Sequence, residues 1–184
     1  MNESQRRADA AVNRERIIAA AREVVSGAGE FKLNAIAKRA GVGQGTLYRH
    51  FPTRVDLLAE VYRQDVLALT ALAGELLERH RPAEALARWL DRVVDYARIK
   101  RGVLAAVEAD VRTELTDRSH GPIGGALTTL LDAGKADGTI RSDVDAQGVI
   151  ILIGFLSRLE EPEWEARARP LLNVVLSGVL RRDE

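Results

Sequence analysis

Residues 33–51 read LNAIAKRAGVGQGTLYRHF, and the fold can be worked outward from them. Leu33, Ile36, Ala37 and Ala40 recur at i, i+3, i+4 and i+7, which is one face of an α-helix. Gly41 follows at once, and glycine best adopts the left-handed backbone on which helices end. A second short helix starts near Gln44. Leu47 and Phe51 share its inner face, and Pro52 stops it. Ala37 and Ala40 are small enough for the two helices to cross closely. Gly43 and Gly45 leave the leading end of the second helix bare, so a polymer backbone such as DNA can come near. Two short helices joined by a tight glycine turn, with an apolar helix on either side, form a helix-turn-helix.

The rest of the chain carries the same helical period. Ile17, Ala21, Val24 and Val25 predict a helix from Asp9 to Ser26, stopped by Gly27 and Gly29. Asn34 is a candidate N-cap for the helix after it. Thr53 caps a fourth helix, with Asp56 three residues on in a capping-box arrangement. That helix runs to about Arg79 on Leu58, Val61, Tyr62, Leu69, Leu72, Ala73 and Leu76. Pro82 suits the first turn of a fifth, whose inner face is Leu86, Trp89, Leu90, Val93, Val94 and Ala97. A sixth is expected over Val103–Leu115, then a turn at Gly121-Pro122. A seventh is expected over Ile123–Ala136, ended by Asp137-Gly138. Asp143 or Asp145 caps an eighth, Ala146–Leu159, and a ninth covers Trp164–Leu180. No stretch alternates as a strand does. An all-α protein of about nine helices is expected.

Composition narrows the function classes. With 46% hydrophobic and 29% charged residues the chain is an ordinary folded one. The absence of cysteine excludes a disulfide framework, a thiolate metal site and a cysteine nucleophile. The polar start holds no apolar signal region, and the longest apolar run, Val149 to Leu156, is far short of the roughly 20 residues a span needs. No membrane contact and a cytoplasmic location are expected. The 27 basic and 27 acidic groups cancel, yet they are unevenly placed. Residues 1–54 hold ten basic against five acidic side chains, and residues 55–184 hold 17 against 22. A basic front and an acidic rear suggest two jobs on one chain.

Specific identities then add to the pattern. Arg16-Ile17-Ile18-Ala19-Ala20-Ala21, Ile36 to Val42, Gly45-Thr46-Leu47-Tyr48-Arg49-His50-Phe51, Arg54 and Leu57-Leu58 resemble the DNA-binding domain of the TetR family of transcriptional regulators over about residues 10–65. Trp89-Leu90, Val94-Asp95-Tyr96, Lys100-Arg101-Gly102 and Gly138 to Asp145 resemble the SbtR-like subgroup. The resemblance implies a helix-turn-helix domain over 1–54, with its motif at 32–51, and a helical effector-binding and dimerisation domain over 55–184. It implies a homodimer whose two recognition helices enter successive major grooves of a pseudo-palindromic double-stranded operator. A small-molecule effector would release a repressor of this kind. It implies no enzyme activity and no cofactor.

Roles follow position by position. Leu47 and Phe51 face the core, so Gly45, Tyr48 and Arg49 face away. Gln44 stands at the leading end, and its carboxamide can bond adenine N6 and N7 together, which makes it the candidate base reader. Arg49 can reach guanine or a phosphate. The resemblance implies phosphate contacts from Thr46, Tyr48, His50 and Arg54. Asn34 stands where the family often has Thr and can also reach a phosphate, and Gly43 stands where Ser or Thr is usual. Lys38 and Arg39 read as a solvated face, and Arg6 and Arg7 as either a minor-groove arm or a frayed end.

Other chemistries find little support. Gly41-Val42-Gly43-Gln44-Gly45 follows a helix rather than a strand and lacks the Walker lysine, so it is no nucleotide loop. His50, His80 and His120 have neither metal-ligand spacing nor an acid partner pattern, so no metal is expected. Asp143-Val144-Asp145 reads as helix capping. In the rear part, Trp89, Val93, Tyr96, Val107, Leu127, Leu131 and Phe155 are candidate walls of an apolar ligand pocket, with Glu108, Arg112 and His120 as polar contacts. The run Val149–Leu156 is apolar all round and must be covered on every side. Val149, Leu152 and Leu156 with Leu171, Val174, Val175 and Gly178 are therefore the candidate dimer face, a four-helix bundle made by two copies.

Overall fold

The computed structural model describes residues 3–26 and 31–181. Its elements are α1 (Glu3–Ser26), α2 (Leu33–Ala40), α3 (Gln44–His50), α4 (Arg54–Arg79), α5 (Pro82–Ala105), α6 (Ala109–Ala136), α7 (Ala146–Ile153), a 3₁₀ turn (Gly154–Arg158) and α8 (Glu161–Val179). Among the described residues there is no strand, only an isolated antiparallel bridge between Ile140 and Leu180. The protein is all-α. Among the described residues no helix is long and apolar enough to cross a membrane.

Two compact units share the chain, and neither is continuous in sequence. One is Met1–Gln64 with Ile99–Leu115, the other Asp65–Arg98 with Thr116–Glu184. In the first, Ile17 and Ala21 of α1, Ile36 of α2, Leu47 of α3 and Leu57, Leu58 and Val61 of α4 are all buried. Val103 of α5 joins this core. A Cβ on Gly102 would collide with the Val25 carbonyl and its side chain, so only glycine lets α5 come so close to the end of α1. In the second unit the core is Leu86, Trp89 and Leu90 of α5, Leu127, Leu130 and Leu131 of α6, and Trp164, Ala168 and Leu172 of α8.

Several expected boundaries move. α1 begins at Glu3 rather than Asp9, which places Arg6 and Arg7 on a helix and not on an extended arm. The glycines expected to stop it, Gly27 and Gly29, lie outside the described residues. The helices expected at 103–115 and 123–136 are replaced by one, α6, which carries Pro122 inside it. Val103 belongs to the end of α5 instead. Proline removes one helical bond, but Ser119, Ile123, Ala126, Leu127, Leu130 and Leu131 form one buried stripe that crosses it. Pro122 itself is exposed. Burial on one face outweighs the local breaker. The eighth predicted helix tightens into the 3₁₀ turn at Gly154. The described residues thus form eight α-helices, not nine.

Capping chemistry decides several ends. Asp145 caps α7, accepting from the Gly148 amide at 2.7 Å. Asp143 pairs with Arg141 instead, at 2.6 and 3.0 Å. Arg141 also donates to the Gly178 carbonyl at 3.2 Å, and its amide donates to the Val179 carbonyl at 3.1 Å. The 139–143 segment therefore staples the C-terminal end of α8.

Candidate nucleic-acid interface

The helix-turn-helix is assembled by a glycine turn and a capping box. Gly41 sits at φ 68°, ψ 30°, in the left-handed region. The Gly41 amide donates to the Lys38 carbonyl at 3.2 Å and the Val42 amide to the Ala37 carbonyl at 3.0 Å. This paired closure is a Schellman end, and it aims the chain into α3. At the far side, the Thr53 amide and hydroxyl donate to the Asp56 carboxylate at 2.9 and 2.8 Å, and the Asp56 amide donates back to the Thr53 hydroxyl at 3.1 Å. That box starts α4 as the sequence predicts. Asn34 is not a cap. Lys32 holds the capping position of α2, without a side-chain bond, and Asn34 lies exposed at the second position inside the helix.

α3 shows the division expected from its spacing. Leu47 and Phe51 are 1% and 3% exposed. Gln44, Gly45, Tyr48 and Arg49 are exposed, Thr46 and His50 half-buried. Tyr48 is 46% exposed, with its hydroxyl free to meet a ligand on the outer face. Arg49 folds along its own helix, donating to the Gly45 carbonyl and the Thr46 hydroxyl, each at 3.1 Å. The Arg54 guanidinium lies over the Phe31 ring, 5.2 Å from its centroid, a stacking that holds the cation at the start of α4. Arg39 pairs with Glu23 across α1 and α2 at 3.3 Å. The exposed row is thus built of a carboxamide, a phenol and guanidinium groups, with the half-buried Thr46 hydroxyl beside it and no carboxylate on α3.

A charge chain under this row was missed by the sequence reading. Arg14 of α1 covers the Phe51 ring at 5.3 Å and meets Glu60 of α4 at 3.0 Å. Glu60 also accepts two bonds from Arg63, at 2.6 and 2.8 Å, and one from Gln64 at 3.3 Å. Glu15 flanks Arg14 at 3.8 Å. Arg63 foremost, then Arg14, hold the Glu60 carboxyl at about 2, well below its ordinary 4.5, against the opposing effect of partial burial. A carboxylate with a depressed folded pKa stabilises the fold above its unfolded value and loses that contribution as pH falls. The stability gap between the wild type and Glu60→Gln is therefore expected to be about 2 kcal/mol near neutrality, discounted for screening. It should close between pH 4.5 and about 2. Urea midpoints of both proteins at pH 6 and pH 3 check this.

The second unit treats the candidate pocket and dimer residues differently. Trp89, Val93, Tyr96, Leu127 and Leu131 are buried core, Phe155 is half-buried, and Val107 belongs to the first unit. Glu108 and Arg112 also belong to the first unit. One open cleft of about 500 Å³, between α6 and α7, is walled by His120, Gly121, Gly124, Thr128, Asp145, Ala146, Gln147 and Ile150, and none of the seven apolar wall residues lines it. Of the polar contacts expected, only His120 is there. Among the described residues no group of acids and histidines could hold a metal ion.

On the expected dimer face, Leu152, Leu171, Val174 and Gly178 are exposed and Val175 half-buried. Val149 and Leu156 are corrected: at 1% and 2% exposure they face their own core with Ile153. Ile151, 67% exposed, was missed, although it stands beside Leu152 in the same apolar run.

Comparison with known proteins agrees with this geometry. Residues 17–61 match the family described as bacterial regulatory proteins, tetR family, and residues 81–181 match the SbtR-like transcriptional regulator C-terminal domain. A TetR transcriptional regulator from Streptomyces coelicolor is 38% identical, with 92% of this chain and 99% of that one covered and a TM-score of 0.77. A TetR regulatory protein from Mycobacterium vanbaalenii is 31% identical, with 95% and 99% covered and a TM-score of 0.76. An HTH-type transcriptional regulator of Staphylococcus aureus is 32% identical over 106 residues, 56% of this chain and 57% of that one, so the chain spans little more than half the length of such curated relatives. A basic helix-turn-helix with an outward polar row, continued by an SbtR-like helical part, places this chain in the TetR family of DNA-binding transcriptional regulators.

Proposed function

We propose that the chain is a cytoplasmic repressor that binds a pseudo-palindromic operator as a homodimer and leaves it when a small molecule binds. The observation that carries this reading is the outward row on α3. Gln44, Gly45, Tyr48 and Arg49 are exposed opposite Leu47 and Phe51, in the segment where basic groups outnumber acidic ones two to one. Gln44, at the first position of α3, reads a base edge. Arg49 leaves its intrahelical bonds to reach guanine or a phosphate. Thr46, Tyr48, His50, Arg54 and Asn34 fix the register on phosphates. The rear part, with its exposed apolar stripe on α7 and α8, pairs the subunits and takes the effector. Family and fold are those of regulators and not of enzymes.

A gel shift against the DNA flanking the chain's own gene tests the reading. Gln44→Ala is expected to cost about 1–3 kcal/mol on the operator and to relax one base position. Arg54→Ala is expected to weaken all sequences alike and to flatten the salt dependence, since it removes a phosphate neutralisation. Equal losses from Gln44→Ala on operator and random DNA would overturn the base-reader assignment.

A further inference from the structure

We propose that Glu60 is a positioning residue for DNA recognition: held on α4, it fixes Arg14 of α1 over Phe51 and so braces the trailing end of α3. The proposal rests on α3 being the reading helix. α3 has only seven residues and no side-chain cap at its start. A helix of two turns has little stability of its own, so its direction is set by what anchors it. The anchors are Leu47, inside the helix, and Phe51, at its end. They lie roughly 6 Å apart along the axis, while Gln44 stands roughly 10 Å from Phe51 at the other end. A small tilt at Phe51 is therefore magnified at the base-reading tip.

What covers Phe51 is a guanidinium, 5.3 Å from the ring centroid. The Arg14 side chain is 36% exposed, so water meets part of its charge, and the part turned toward the protein needs a partner. Glu60 meets it at 3.0 Å, with its side chain only 12% exposed. Both oxygens of Glu60 are fixed in turn by Arg63, and one also by Gln64. Exposed pairs contribute little. This one is shielded on its Glu60 side, shared between α1 and α4, and bonded on both carboxylate oxygens, which is the arrangement in which charge-assisted bonds hold geometry. Glu60 lies on α4, outside the exposed row of α3.

The test uses the full-length wild type, Glu60→Gln, Arg14→Gln and the double variant. The first readout is hydrogen exchange of the Phe51 amide, which donates to the Leu47 carbonyl at 2.9 Å. The Val42 amide, bonded to the Ala37 carbonyl at 3.0 Å, is the internal control. Beyond the change that the loss of global stability imposes on every amide, either single variant should speed Phe51 by about tenfold more than Val42. The second readout is affinity for the duplex that the wild type selects from a random double-stranded pool, against an unrelated duplex. Either variant should lose about tenfold on the selected duplex and nothing on the other, and the double variant should be no worse than a single one. Equal acceleration of Phe51 and Val42, additive losses in the double variant, or unchanged Phe51 exchange in both singles would overturn the brace. Should Glu60→Gln not fold, Arg14→Gln decides from the other side of the pair. If the wild type selects no duplex, α3 is not the reading helix and the proposal falls with it. Loss of the Phe51 effect alone sinks the brace and leaves that assignment standing.

Discussion

Val174→Glu is expected to break the proposed homodimer into monomers in solution and to lower affinity for a two-half-site operator by about a hundredfold or more, the scale of lost bivalent binding. Val174 is 68% exposed on α8, with Leu171 at 39% beside it and Ile151 and Leu152 of α7 at 67% and 58%. α8 is already anchored by a separate stripe of Trp164, Ala168, Leu172 and Val179, each at most 3% exposed. The second stripe is therefore surplus to the protomer's own folding. Leu171, Val174, Val175 and Gly178 fall at i, i+3, i+4 and i+7, one continuous face. A contiguous apolar face of this kind marks an association surface. In the proposed homodimer the same face of both copies would meet, as a two-fold interface requires. A carboxylate buried at its centre without a partner is costly, so the monomer wins. Light scattering at micromolar concentration checks the assembly, and a gel shift checks the affinity. Leu67→Glu, on an exposed position of α4, is the control and should leave both unchanged. A wild-type protein that scatters as a monomer would sink the proposed interface.

The legible parts of this molecule were those where one local signal faced no competitor. Gly41 at φ 68° and the Thr53–Asp56 box were readable because turn and cap chemistry are local. The inner face of α3 followed from two residues four apart. Where long-range packing competes, reading failed. Pro122 is a breaker by local rule, yet six buried residues of α6 carry the helix through it. Asn34 has the chemistry of a cap, but the helix already begins at Leu33, with Lys32 in the capping position. The run Val149–Leu156 signals burial on all sides but not which side faces which neighbour. The fold settles that by turning Val149, Ile153 and Leu156 inward and Ile151 and Leu152 outward. Glu60 and Arg14 are 46 positions apart in sequence, and no spacing rule links an exposed-looking Arg on one helix with a Glu on another. The pairing becomes visible only once Phe51 is seen between them.

Trp89→Ala is expected to cost about 3–5 kcal/mol of folding stability, the range for deleting a fully buried large aromatic. The sequence offers two roles for Trp89, a pocket wall or core, and their energetics differ. A wall residue borders space that water or a ligand can fill, so truncating it leaves a larger cavity and a modest loss. A core residue is surrounded by fixed atoms, and truncating it leaves a void that the neighbours only partly close. Trp89 is 0% exposed among Ala85, Leu86, Leu90 and Val93 of its own helix, all buried. Its indole Nε1 donates to the Leu69 carbonyl at 2.8 Å, so its polar atom is already satisfied within the protein and does not await a ligand. The open cleft is lined by other residues, His120, Gly124 and Ile150 among them. The loss is large beside the 5–15 kcal/mol that typically holds a domain together, and for a chain of this size it corresponds to a fall of roughly 10 °C in the melting temperature. Urea and thermal unfolding measure it directly. Trp89→Phe, which keeps an aromatic ring but removes the Nε1 donor, should lose distinctly less. If Trp89→Ala stayed within about 1 kcal/mol of the wild type, the residue would border unfilled space after all, and the pocket-wall reading would return.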